Sequence, residues 1–202
     1  AWKIESEIDR VCMIGSSATA TDGNINGFVT EVNGVASNLG IVAGATGSAA
    51  NYNAITLANF RTMVGKLPLY ADKPGEAKWY MSKAFFNDVV CNRLDALSGN
   101  AALDLMNFQN GRPTLYGYPI VFSQHLASTA AGTNGTALCA LANLKTGTVL
   151  GDRRSVQISV SSDYLFNTDE LAFKAVERFG FTCHDPGTSS AAGSVIVLKR
   201  LT

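Results

Sequence analysis

Two apolar periods succeed one another along this chain in no regular order. Ile4, Ile8, Val11 and Cys12 recur at helical spacing, as do Leu57, Phe60 and Val64 (with Met63) and, further on, Phe85, Val89, Leu94 and Leu97. A period of two governs Val156, Ile158 and Val160. Between Asp169 and Arg178 both periods fit Leu171, Phe173, Ala175 and Val176, so that stretch reads as helix or strand, although Phe173 to Phe179 alternates well enough for a strand. Helices and strands mixed without a βαβ rhythm, and without an internal repeat, define an α+β chain.

Turn residues place the elements more closely. Gly15-Ser16-Ser17 ends a helix over 2–13, and the turn-rich run from Asp22 to Gly27 leads into a short strand at Phe28-Val29. Gly34, Gly40, Gly44 and Gly47, with nearby Gly23 and Gly27, mark a small-residue loop or contact region. Thr56 is positioned to cap a helix over 57–65, closed by Leu67-Pro68. A turn at Lys73-Pro74-Gly75 precedes a buried strand over 77–82 and a second helix over 84–97, ended by Ser98-Gly99. The turn cluster 111–119 introduces a strand at Ile120–Ser123. A small-residue loop over 127–136 precedes an apolar strand at Ala137–Leu141. Residues 148–158 are extended but broken by Gly151-Asp152-Arg153-Arg154, and 194–201 form a last strand.

Composition narrows the function. Lys plus Arg number 16 and Asp plus Glu 16, so the net charge is zero and no strong field steers the chain onto nucleic acid or anionic lipid. A surface with only 16% charged residues and no net charge favours association. No run of about 18 apolar residues predicts a membrane span. Ala1 to Glu7 contains no apolar signal core, and a helix already under way at Ala1, with no initiator Met, reads as part of a longer polypeptide. Cys12, Cys91, Cys139 and Cys183 are spaced too widely for a CxxC pair or a disulfide framework and read as reduced thiols.

Motifs for chemistry are sparse. His125 and His184 are the two histidines, and no Gly-x-Ser-x-Gly elbow accompanies them. His184-Asp185-Pro186-Gly187 reads as a polar turn between strands, although His184 and Asp185 with a serine could compose a hydrolase triad. Cys183-His184 has no second close pair of ligands for zinc. Gly44-Ala45-Thr46-Gly47-Ser48 lacks the lysine of a phosphate loop, and Asn134-Gly135-Thr136 matches a glycosylation acceptor in a chain with no sign of secretion. Asp152, Arg153 and Arg154 form the densest charged cluster. They read as a salt-bridged structural group suited to an interface, where arginine binds carboxylates through two nitrogens.

The order of segments in the carboxy-terminal part resembles one family. Gly117-Tyr118-Pro119-Ile120-Val121-Phe122-Ser123, Gly147-Thr148-Val149-Leu150-Gly151-Asp152-Arg153-Arg154, the strand from Val156 to Ser162, and Phe166-Asn167-Thr168-Asp169-Glu170 follow one another. Ala175-Val176-Glu177-Arg178-Phe179-Gly180-Phe181 and Val195-Ile196-Val197-Leu198 complete the series. This series is similar to that of HK97-type major capsid proteins of tailed bacteriophages. Trp79-Tyr80-Met81-Ser82 matches the family's strand before a helix, and Gly27-Phe28-Val29 the segment after its spine helix.

That resemblance implies an HK97-like α+β capsid fold. A peripheral domain would be made of 1–20 plus 149–202, with an axial domain, 21–148, inserted between them. The amino-terminal arm, extended loop and most of the spine helix would be missing. It implies a non-enzymatic structural subunit that forms pentamers and hexamers of an icosahedral phage or prophage shell, without cofactor or metal. Its partners would be other copies of itself, scaffolding and portal proteins, and double-stranded DNA held without sequence-specific contacts. It would be synthesised in the bacterial cytoplasm and reside in the virion, with no membrane contact. Asp152, Arg153 and Arg154 are the candidate inter-subunit contacts. The alternatives are an encapsulin-like nanocompartment shell enclosing cargo, the serine hydrolase using His184 and Asp185, and a monomeric β-rich binding module.

Overall fold

In the computed structural model the described residues are 2–35, 41–43, 55–95, 106–109, 112–127, 136–162, 164, 166–168, 170–188 and 190–199. The expected small-residue loops over 33–51 and 127–136, the helix end at Leu97 to Gly99 and the Asn134-Gly135-Thr136 motif fall largely or wholly outside them. Seven strands form one sheet: β1 (Ile41–Ala43), β2 (Lys78–Met81), β3 (Met106–Gln109), β4 (Arg112–Leu115), β5 (Tyr118–Phe122), β6 (Ala137–Ala142) and β9 (Val195–Lys199). Their spatial order is β1-β9-β6-β2-β5-β4-β3. β1 runs parallel to β9 and β2 parallel to β5, and the other neighbours are antiparallel.

Burial on both faces explains the uninterrupted apolar strands. All six residues of β6 are buried, as are the first four of β9, because helices cover the sheet on either side. Trp79 and Met81 of β2, Leu141 of β6 and Ile196 and Leu198 of β9 point to one face. There they meet Phe60 and Met63 of α3 (Leu57–Lys66), and Phe85 and Val89 of the helix that follows β2. Tyr80, Ala140, Val195 and Val197 point to the other face, against Phe28, Val29 and Val32 of α2 (Phe28–Val35) and Met13 of α1 (Trp2–Ile14).

Local chemistry sets the helices. The Thr56 amide donates to Asn59 Oδ1 at 2.8 Å, which caps α3 where the sequence placed its start. Ser82 caps α4 (Lys83–Phe85) by accepting from the Phe85 amide at 3.1 Å. The helix continues through a π-helical segment, Phe86–Cys91, into α5 (Asn92–Asp95). A short α6 (Leu144–Gly147) follows β6, with Asn143 Oδ1 accepting from the Thr146 amide.

Two expectations are corrected. Phe28 and Val29 open a helix rather than a strand. Gly27 allows the chains to touch: a Cβ there would lie 2.4 Å from the Met13 backbone, and its amide donates to Gly15 O at 2.9 Å. The last strand does not fold with the segment 149–183 that precedes it. β9 inserts between β1 and β6, in the sheet formed by the middle of the chain. The expected unit 1–20 plus 149–202 therefore loses residues 195–199 to the other body, because their apolar side chains find burial only between two helix-covered faces.

Phe60 is fully buried, its ring 5.7 Å from that of Trp79 in an edge-to-face contact, and the Trp79 indole N–H donates to Leu115 O at 2.9 Å. Phe60→Ala is expected to lower unfolding free energy by about 3–5 kcal/mol, measured by chemical denaturation.

Candidate interaction surface

Two strands leave the sheet altogether. β7 (Thr148–Ser161) and β8 (Ala172–Cys183) pair antiparallel with each other as an isolated ribbon. At about 3.3 Å per residue its longer strand spans about 46 Å. The expected break at 151–154 is instead a pair of bulges within one continuous strand. The register passes from Asp152↔Phe179 to Arg154↔Arg178 and then to Gln157↔Val176, with the additional residue on β7 each time.

The root of the ribbon is tightly held. Thr148 pairs with Cys183, the His184 amide donates to Gly147 O at 3.0 Å, and Thr148 Oγ1 donates to Leu144 O at 2.7 Å. Asp185 closes the root: its Oδ2 accepts from the Tyr70 hydroxyl at 2.7 Å and from the Ser194 amide at 3.0 Å. Burial and this carboxylate push the Tyr70 phenol up to about 12. Asp185 is thus turned to Tyr70 and Ser194, while His184 is exposed, which is not the linkage a catalytic triad requires. Burial also raises the thiols, Cys12 and Cys183 each to about 11, and Cys139 further still. All four cysteines are free, and among the described residues no three His, Cys, Asp or Glu side chains gather as a metal site.

Helix α1 lies over the proximal half of the ribbon. Its carboxy-terminal end is anchored through buried Val11 and Met13. It is also anchored through Arg10, which bridges Glu7 at 2.6 Å and reaches Asp22, whose other oxygen accepts from the Ser16 amide at 2.9 Å. Its amino-terminal end projects outward, with Trp2 71% exposed. Clefts run along both flanks of α1. One, of about 1220 Å³, is lined by Glu5, Ile8, Asp9, Leu150, Asp152, Glu177 and Phe179 among others. The second, of about 820 Å³, is lined by Lys3, Glu7, Arg153, Glu177 and Arg178.

β8 sorts its side chains by the two-residue period: Phe173, Ala175, Glu177, Phe179 and Phe181 share a face. Ala175, Glu177, Phe179 and Phe181 lie beside α1, whereas Phe173, opposite Val160, lies beyond it, as does Ile158 on β7, opposite Ala175. Val160, Ile158 and Phe173 are 57%, 66% and 71% exposed, so the alternation that predicted a half-buried strand marks one apolar face left uncovered.

The three residues of the predicted cluster lie at the bulges. Asp152 borders the first cleft and Arg153 the second. Arg154 stands opposite Arg178 in register, with its side chain outside the description. Glu177 was not singled out from sequence. One of its carboxylate oxygens is shielded from solvent and has no hydrogen-bond partner among the described residues. Its signal was a single carboxylate in the apolar register between Ala175 and Phe179.

With this geometry in place, comparisons identify the lineage. A model of the phage capsid family matches residues 8–188, and the chain belongs to that family. No match was found among curated proteins. Among solved structures, the capsid of a native GTA particle is 18% identical with a TM-score of 0.65, covering 99% of this chain and 68% of that one. The capsid of an empty GTA particle is 18% identical with a TM-score of 0.63, covering 100% and 66%. A structure from Mycobacterium phage Bobi is 15% identical with a TM-score of 0.61, covering 96% and 60%. The α+β fold is that of these capsid structures, and the chain spans about three-fifths to two-thirds of their length.

Two outcomes check this geometry. A Cβ on Gly147 would lie 1.7 Å from Ser194 Oγ and 2.9 Å from Ser194 Cβ, and Ser194 is fully buried. Gly147→Ala is expected to cost about 1–3 kcal/mol in chemical denaturation, with part recovered in the double variant carrying Ser194→Gly. The Arg10 guanidinium holds the Asp22 carboxyl below the usual aspartate range. The Asp22 contact therefore stabilises the fold in full above about pH 4 and is lost as pH falls through the depressed folded value. The thermal midpoint of the parent should exceed that of Asp22→Asn at neutral pH, and the two should converge in acid.

Proposed function

We propose that this chain is the structural subunit of an icosahedral phage or prophage shell, self-assembling into pentamers and hexamers around double-stranded DNA. The observation that carries this reading is the isolated ribbon with its uncovered apolar face, in a chain of the phage capsid family. A two-stranded ribbon is marginal in water by itself, and a row of large exposed apolar side chains marks a surface meant for a partner. Repetition of one such contact over many copies makes a shell cooperative even when each contact is weak.

In this reading the ribbon with α1 corresponds to the peripheral domain, and the seven-stranded sheet, now including β9, to the axial domain. Asp152, Arg153 and Arg154 contribute to contacts between copies near the bulges, where an arginine fork can engage a neighbour's carboxylate. The subunit works by packing rather than catalysis, binds DNA without sequence preference, and meets scaffolding and portal proteins during assembly. It is made in the bacterial cytoplasm and ends in the virion.

Electron microscopy of the expressed full-length protein is expected to show uniform closed shells. Phe173→Asp is expected to reduce shell yield at least about tenfold while leaving the thermal midpoint close to that of the parent. A strictly monomeric protein, with or without scaffold, would overturn the reading. Closed particles loaded with a cellular enzyme instead of DNA would move it to a nanocompartment.

A further inference from the structure

The two sides of the ribbon carry opposite charge. The first cleft beside α1 presents four carboxylates, Glu5, Asp9, Asp152 and Glu177, against the single lysine Lys83, with His125 at its edge. Its walls are apolar, including Ile8, Leu150 and Phe179. The long stem of a lysine or arginine lies well along such walls with its charge at a carboxylate. Glu177 gives the cleft a reason to be filled, because a shielded carboxylate oxygen without a donor costs more than one that is paired.

A matching cationic surface stands on the reverse of the same strand. Lys174 and Arg178 fall on the even positions of β8, alternating with Glu177, and both are exposed; Arg178 also borders the second cleft beside α1, whereas Lys174 lines neither cleft. Neither belongs to an ion pair among the described residues. Within a copy, Glu177 and these two residues do not form an ion pair among the described residues. They can do so between copies arranged head to tail.

We infer that the cleft between α1 and the ribbon receives the basic reverse side of β8 from a second copy of this chain, with Glu177 and its neighbouring carboxylates meeting Lys174 and Arg178. The contact joins two different patches, so it is heterologous and closes into a ring when the rotation between copies divides a full turn. This deepens the shell-subunit reading and rests on it: it supplies the partner, direction and charge pairing for the ribbon.

The test is reciprocal charge reversal in the full-length protein, read by sedimentation velocity at low and high salt, with circular dichroism as the check on folding. Glu177→Lys and the pair Lys174→Glu/Arg178→Glu should each weaken self-association about tenfold or more. An equimolar mixture of the two proteins should associate, as should one chain carrying all three changes. Where Glu177→Lys does not fold, Glu5→Lys/Asp9→Lys, exposed on α1 along the same cleft, replaces it. Parent-like association of the folded single reversals, or no recovery in the mixture and the triple variant, overturns the inference and leaves the shell reading standing. A parent protein that never associates overturns both.

Discussion

The pairing of β9 with β6 is the contact on which the rest of the molecule depends. Five residues from near the end of the described chain fill a slot between β1 and β6, and four of them are buried from both sides. Because β9 must return there, everything from Thr148 to Cys183 becomes an excursion that leaves the body and comes back to the same place. The crossing point is crowded: Gly147 touches Ser194, and Asp185 ties Ser194 to Tyr70. A stiff root makes a ribbon of this length a lever of defined direction rather than a loose arm.

Helix α1 shares both bodies. Val11 and Met13 sink against the body, and Arg10 is tied to Asp22, while the outer turns lie on the ribbon with clefts on either flank. The helix measures about 20 Å at about 1.5 Å per residue, less than half the ribbon. Its cover therefore stops short of Ile158 and Phe173, and the same face changes from enclosed to open along its length.

The legible elements were those whose signals are local. Thr56 and the Phe60–Met63 stripe defined α3, and the apolar runs 78–81 and 137–142 are strands because burial on both faces demands such runs. Gly27-Phe28-Val29 misled because the glycine serves a backbone contact, which no pattern within three residues reveals. β9 was recognised as a strand but placed with the wrong body, since chain order does not report which slot in a sheet remains empty. In the ribbon, alternation correctly grouped Ile158 with Val160, yet period tells only which side chains share a face and not whether that face is covered. The family resemblance supplied the architecture, while Glu177, central to the inferred contact, was visible only as a charge in an apolar register.

The late return of β9 also orders events in time. During synthesis the edge of β6 that β9 will occupy stays open while the whole ribbon emerges, so the nascent sheet is incomplete for the length of that excursion. Contacts between residues so far apart in sequence are slow to form, and an open strand edge invites pairing with the wrong chain. The body of the subunit is therefore finished only after its lever has been made.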